Sequence, residues 1–339
     1  MIKVGVVGAS GYLGAELLRL LSNHQDMTVS ALQGHGSAGN AVADLYPGLE
    51  PAYSGMSIET FDPKSLSGLD LVFLALPSGV AAAQAEVLMA AVPLVVDLSA
   101  DFRLKNAGLY DRWYSFAHPA PHLLEKAVYG LPEFYRSEIA QASLIASPGC
   151  YVTAATLAVK PFVEANVLEK DDCLIVDGAS GTSGAGRQLT ETTHHGYINE
   201  NFVAYGLLDH RHTPEMEQVI GKQVLFTPHL LPMTRGILVT CYAKAAHKLT
   251  SKELFEMQRT FYKDEPFVAV TEKPPATRDC YGSNTARLSA YYDDRTGYVV
   301  MLAAIDNLCK GGAGQALQSA NIALGIEETC GLTQIGVIP

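Results

Sequence analysis

Two short stretches hold residues whose type and spacing could do chemistry. In "SLIASPGCYVTAATLAVKP" (143–161) an apolar run ends, Pro148 and Gly149 turn the chain, and Cys150 stands where a helical pattern starts. A thiol at a helix N-terminus feels the positive end of the helix dipole, which stabilises thiolate and makes a nucleophile near neutral pH. Ligand crevices of open α/β sheets lie at strand C-termini, which is where the "SLIAS" run puts Cys150. The other cysteines (Cys173, Cys241, Cys280, Cys309 and Cys330) fall inside strand or helix patterns and read as small buried hydrophobes.

The second stretch is "GASGYLG", where Gly8, Gly11 and Gly14 follow a strand and open a helix with G-x-x-G-x-x-G spacing. That is a variant of the dinucleotide fingerprint. Glycines allow the tight turn and close backbone approach, and the helix N-terminus offers free N–H groups to a pyrophosphate. Gly8, Ser10, Gly11, Tyr12, Leu13 and Gly14 are therefore the expected cofactor loop. The ribose-reading acid normally stands about 20 residues further on. Here that place reads "ALQGHGSAGN", with no Asp or Glu from Ala31 to Asn40. Nothing there repels a 2′-phosphate, and His35, Ser37 and backbone amides could hold one, so NADP is favoured although no arginine stands nearby.

A dinucleotide site plus a thiolate narrows the reaction. Thiolate attack on an acyl group gives a thioester, which accepts hydride far more readily than a carboxylate does. The chemistry is then reduction of an acyl phosphate to an aldehyde and phosphate, or its reverse.

These groups need elements to hold them. The first half alternates Val/Ile-rich runs ("IKVGVVG", "MTVSALQ", "LDLVFLAL", "PLVVDLS", "SLIAS") with helical patterns such as "AELLRLLSNH", which predicts a doubly wound parallel sheet of Rossmann type. The second half has longer strands, "CLIVDGAS", "QVLFTPHLLP", "GILVTCYAKA", "FVAVTE" and a hairpin through "DDRT". The helical segments "YVTAATLAVKPFVEA" and "SKELFEMQRTFYKD" fit between them. This half is expected to be an α+β domain whose sheet is largely antiparallel.

Composition sets the outer bounds. At 339 residues the chain has room for roughly two domains. A formal charge of -11 argues against a nucleic-acid binder, which needs a basic face. Scattered cysteines without C-x-x-C pairs or metal-ligand spacing read as reduced thiols of a cytoplasmic protein with no metal site. The start runs directly into a strand instead of a signal peptide. The apolar region after Leu71 is broken by Pro77, Gly79 and Pro93 and fits buried strands and a helix better than a membrane span.

The resemblance to a family is carried by "GASGYLGAELLRLL", "DLSADFRL", "YGLPE", "IASPGCYVTAATLAVKP", "SGTSGAGR", "YGLLDHRHTPEMEQ", "FTPHLLPMTRGIL" and "AIDNLCKGGAGQALQSANIALG", in that order. Across nearly its whole length the chain resembles the N-acetyl-γ-glutamyl-phosphate reductases, NADPH-dependent enzymes of arginine biosynthesis in the wider aspartate-semialdehyde dehydrogenase group. The resemblance implies that Cys150 carries the thioester. It implies that the terminal helix returns to the cofactor domain, giving domains of 1–148 with 313–339 and of 149–312. Arg103, Arg187 and Arg235 stand in the shared blocks as candidates for the substrate's carboxylate and phosphate. Ser180 and Gly181 open a second glycine loop suited to phosphate or nicotinamide, and Asn307 is placed at the cofactor cleft. The family tends to homodimers and homotetramers. Reductases of aspartyl phosphate or of an aminoadipyl phosphate remain alternatives, as does a non-catalytic NADP-binding regulator.

A base must take the thiol proton, and ten histidines compete. His24, His35 and His247 sit at element ends and read as solvated, while His118 and His122 are loop residues. In "DHRHTPEMEQ", Thr213 is expected to cap a helix with Pro214 in its first position and acids in its first turn. His212 then precedes a helix N-terminus, whose dipole keeps imidazole neutral. His212 is the first candidate, His210 the second, pointing the other way in extended chain, and His229 the third.

Overall fold

The computed structural model describes residues 1–338. The chain divides into two compact units. The first holds Met1–Pro148 with Gly312–Thr333, and the second holds Gly149–Gly311 with residues 334–338.

The first unit is built on a seven-stranded sheet. Its strands are β1 (Ile2–Val7), β2 (Met27–Gly34), β3 (Glu59–Thr60), β4 (Leu71–Leu74), β5 (Leu94–Asp97), β6 (Val128–Tyr129) and β7 (Leu144–Ala146). They lie in the order β3-β2-β1-β4-β5-β7-β6, and every neighbouring pair is parallel. The continuous apolar runs "VGVV", "LVFL" and "LVVD" follow from this, since a parallel sheet is covered on both faces. Val7, Val72, Leu74, Val95, Leu144 and Ala146 join Ala81, Ala85 and Leu88 of the helix Val80–Ala91 in one buried cluster.

The second unit has a mixed sheet of β8 (Leu174–Gly181), β9 (Val203–Ala204), β10 (Val224–Leu231), β11 (Ile237–Lys244), β12 (Val268–Val270), β13 (Ala286–Asp293) and β14 (Tyr298–Ile305). Its order is β12-β13-β14-β11-β8-β10-β9; β8 runs parallel to β10 and β12 to β13, and the other four pairs are antiparallel. The expected fold class holds in both units. One face of this sheet carries the helix Cys150–Glu164, whose Tyr151 ring lies against Gly178. The opposite face keeps Ile175, Leu225, Leu238, Thr240, Tyr242, Val300 and Leu302 partly or fully exposed.

Several elements differ from the sequence reading. Residues 334–338 belong with the second unit instead of the first, because the Val337 N–H donates to the Tyr281 carbonyl at 2.8 Å. The terminal helix is Gly314–Ala323, and a π-helical turn over Cys309–Ala313 precedes it, closed by Gly311 N–H to Asp306 C=O at 2.9 Å. His212, not Thr213, is the N-cap of the helix Thr213–Ile220. The helices Gly108–Tyr114 and Pro132–Ile139 and the two-residue strands β3, β6 and β9 carry no readable periodicity. Among the described residues no helix is long and apolar enough to cross a membrane.

Candidate active site

The glycine-rich loop lies in the first unit. Gly8 has φ +88°, and a Cβ there would collide with the Ala75 carbonyl at the end of β4. A Cβ at Gly14 would meet the Gly8 carbonyl and stand 2.7 Å from the Ala9 Cα, so this glycine lets the helix pack on the strand turn. Gly11 is the N-cap of the helix Tyr12–Leu21 and has no side chain to cap it. The N–H groups of Tyr12, Leu13 and Gly14 have no acceptor within that helix and are left for another. Ser10 is held by its carbonyl, which accepts from Tyr46 Oη at 2.8 Å. Ser37 is half-buried in the turn after β2, where its carbonyl accepts from Asn40.

The "DLSADFRL" block is a brace for the neighbouring loops. Asp101 is fully buried, and its two oxygens accept from the N–H groups of Gly79 (2.7 Å) and Ala82 (2.9 Å), fixing the start of the helix Val80–Ala91. Arg103 is buried too. Its Nε donates to the Ser147 carbonyl at 2.7 Å and its guanidinium also reaches the Leu98 carbonyl at 3.1 Å, so these donors steady the segment before Cys150. His118, read as a loop residue, is buried: Nδ1 accepts from Ala120 N–H, which leaves Nε2 to donate to the Asp101 carbonyl. His24, read as solvated, is buried as well. Its Nδ1 accepts from Asp26 and Met27, and Nε2 meets Asn321 Oδ1.

Asp97 gives this brace a pH signature. Burial, and then the neighbouring Asp101 carboxylate, raise its carboxyl from the usual 3.8 to about 7. A raised carboxyl favours the folded state at low pH. That contribution is present below the unfolded value and is lost as pH rises through about 7. Urea unfolding from pH 4 to 8 should therefore show wild-type stability falling relative to Asp97→Asn, with most of the divergence before about pH 7. Parallel curves for the two proteins would refute the shift.

Cys150 and its surroundings belong to the second unit. Cys150 is the first residue of the 15-residue helix Cys150–Glu164, with Gly149 as N-cap, and it is partly exposed. Two backbone approaches bracket it. A Cβ on Gly149 would lie 2.5 Å from Nε2 of His212, so the imidazole rests directly on that residue. A Cβ on Gly311 would lie 2.8 Å from the Cys150 Cβ. Glu215, fully buried three residues beyond His212, accepts the Gly149 N–H at 2.9 Å.

His210 takes a different place. Its Nδ1 accepts the His212 N–H at 3.1 Å, and its ring meets Tyr151, Tyr205, Phe226 and His212 edge-on. Burial first, then the Arg211 charge, lower it to about 4, so it stays neutral near pH 7. His229 packs on Phe202, and its Nδ1 lies 3.3 Å from the Gly178 carbonyl.

The remaining expected contacts are largely structural. Arg235 donates from Nε and a terminal nitrogen to Asp306, each at 2.9 Å, in a fork-to-fork pair. Asp306 also accepts the N–H groups of Gly282, Leu308 and Cys309, and so anchors the π turn that carries Gly311. Asn307 is buried; it accepts from Gly236 N–H at 2.7 Å and donates to Ser183 Oγ at 2.9 Å, tying two loops together. Ser180 is buried, with its hydroxyl on the Gly181 carbonyl, and Gly181 passes so close to Thr234 and Arg235 that a Cβ would not fit. Arg187 is exposed in the following loop. Sequence reading missed Glu215 and Gly149 as parts of the site. The acid had a bland explanation as a first-turn residue, and the glycine one as half of a Pro-Gly turn.

Models of the semialdehyde dehydrogenase NAD binding domain and dimerisation domain match residues 3–142 and 150–307. Proteins named N-acetyl-gamma-glutamyl-phosphate reductase from Symbiobacterium thermophilum and Desulforamulus reducens are 43% and 44% identical, over 99% and 100% of this chain and the same shares of their own. The chain belongs to this family. Its Pseudomonas putida relative, N-acetyl-gamma-glutamyl-phosphate reductase 1, is 45% identical over both full lengths. The fold is shared with aspartate semialdehyde dehydrogenase II of Vibrio cholerae complexed with ASA, at a TM-score of 0.72 and 17% identity over 96% of this chain and 98% of that one. The Candida albicans aspartate semialdehyde dehydrogenase with NADP gives 0.70 at 17% identity, over 95% and 98%.

Proposed function

We propose that this protein reduces N-acetyl-L-glutamyl 5-phosphate to N-acetyl-L-glutamate 5-semialdehyde and phosphate with NADPH, through a thioester on Cys150, in arginine biosynthesis. The observation that carries this reading is Cys150 at the first position of a long helix, with the His212 ring seated on the residue before it. The family supplies the substrate.

The cofactor fits what the glycine loop offers. Gly8 and Gly14 stand where side chains would close the turn, and the first-turn N–H groups of Tyr12, Leu13 and Gly14 suit a pyrophosphate. No acid follows β2 as far as Asn40, so Ser37 and its turn accept a 2′-phosphate without repulsion. When bound, NADPH supplies the hydride that reduces the acyl carbon.

The chain's own groups do the rest. His212 takes the Cys150 proton, the thiolate attacks the acyl carbon, and phosphate leaves with the C–O bond pair, giving the thioester. His212 then protonates the oxygen as the carbon is reduced. It recovers that proton when the thiohemiacetal collapses and Cys150 leaves as thiolate. His210, neutral and bonded to the His212 N–H, keeps that ring in place. Arg187, exposed in the loop after β8, is the sequence candidate for the substrate's anionic groups. Arg103 and Arg235 act through the loops they brace.

The test is the reverse reaction. Purified protein receives N-acetylglutamate semialdehyde, phosphate and NADP⁺, with aspartate semialdehyde, aminoadipate semialdehyde and NAD⁺ in parallel. Phosphate-dependent NADPH formation with the acetylated substrate is expected. Turnover with another semialdehyde alone would discard the substrate, and cofactor binding without any turnover would favour a regulator.

The functional particle is a homo-oligomer, at least a dimer, held through the open face of the second sheet. Leu225, Leu238, Val300 and Leu302 supply apolar surface there, and the family model over 150–307 describes a dimerisation domain. Replacing Leu302 and Leu238 together by arginine should halve the mass seen in sedimentation. An unchanged mass would move the interface elsewhere. Free thiols throughout the described residues suit a cytoplasmic enzyme.

A further inference from the structure

We propose that Glu215 is the positioning residue of the nucleophile turn, holding Gly149 for attack by Cys150 and opposing premature charge on the thiol. Glu215 is the third residue of the helix Thr213–Ile220, has no exposed surface, and accepts the Gly149 N–H through Oε1 at 2.9 Å. Gly149 is itself the N-cap of the helix Cys150–Glu164. One buried carboxylate therefore meets the N-terminal ends of two helices, each carrying a partial positive charge.

Two consequences follow from that placement. The first is mechanical. Glu215 and His212 sit one helical turn apart, and both bear on Gly149, one on its N–H and the other on its Cα. The carboxylate fixes the distance between the turn and the ring, so losing it frees both partners of the proton transfer together. The second is electrostatic. The helix end beside Cys150 favours thiolate, and a fixed negative charge on the preceding residue's N–H offsets that pull. Cys150 is then held as a thiol until His212 takes the proton. The other groups bearing on the thiol are Tyr151 on its own helix and Tyr205 from the loop after β9, with His212 seated on Gly149.

The inference rests on the reading of Cys150 as nucleophile, but its first test needs no substrate. Iodoacetamide alkylation of Cys150, followed by peptide mass spectrometry from pH 5 to 10, reads the thiol directly in the full chain. Glu215→Gln keeps an oxygen for the Gly149 N–H and removes the charge. Its alkylation midpoint should fall by about one pH unit, which is about tenfold faster labelling at a fixed pH below the midpoint. Glu215→Ala removes the acceptor as well, and kcat should fall about 100-fold with KM little changed. Glu215→Gln should recover much of that kcat. A wild-type midpoint in Glu215→Gln, or wild-type kcat in a folded Glu215→Ala, overturns the proposal. Failure of the acetylated substrate with these shifts intact would refute the substrate and leave Glu215's role standing.

Discussion

Cys150→Ser is expected to lose about 10⁴-fold or more in phosphate-dependent turnover while still binding NADP⁺ and unfolding at the wild-type temperature. The asymmetry follows from where the residue sits. Cys150 is the first residue of its helix and partly exposed, and a serine of nearly the same size fits the same space. Serine differs in acidity and leaving ability. Its alkoxide lies far above the range that a helix end and a neutral imidazole can reach, and an ester accepts hydride less readily than a thioester. Stopped-flow mixing with the acyl phosphate should show a burst of phosphate in the wild type and none in the variant. A variant retaining a tenth of the activity would remove covalent catalysis from this site.

Gly149→Ala should lower kcat by about 100-fold at unchanged cofactor affinity. Gly149 has φ -67° and ψ 142°, a conformation alanine adopts freely, so backbone strain is not the reason. The cause is a single methyl placed 2.5 Å from His212 Nε2, which forces the ring off the turn. Gly311→Ala approaches Cys150 from the other side, at 2.8 Å from its Cβ, and should act through the thiol's own rotamer. Gly48→Ala, where a Cβ meets nothing within 4 Å, is the control for a general effect of adding a methyl group. Equal losses in all three proteins would count against a steric seat for His212.

How legible each part was depended on how local its cause is. The parallel sheet could be read because a strand covered on both faces is apolar along nearly its whole length, as in "LVFL" and the "LVV" of β5. The glycine loop could be read because Gly8 and Gly14 answer steric demands set within a few residues of themselves. Arg235 was read as a ligand for substrate because its partner, Asp306, lies 71 positions away and no local pattern announces the pair. Glu215 was passed over for the same reason: its partner Gly149 is 66 positions off, and a first-turn acid already has an adequate local use. The short helix Gly108–Tyr114 left no periodic trace, since two turns are too few for an apolar stripe to repeat.

Two of the three crossings between the units have a use for anyone wishing to rebuild the chain. Apart from residues 334–338, the second unit enters after Pro148 and leaves at Gly311, and Gly311 lies against the side chain of Cys150. In the language of grafting, it is a cassette whose splice points touch. Such a cassette can be lifted out and the gap closed with about two residues, since extended chain spans roughly 3.5 Å per residue. A first unit spliced from Pro148 to Gly312 would keep its own sheet and terminal helix, and could accept a foreign insert at the same seam.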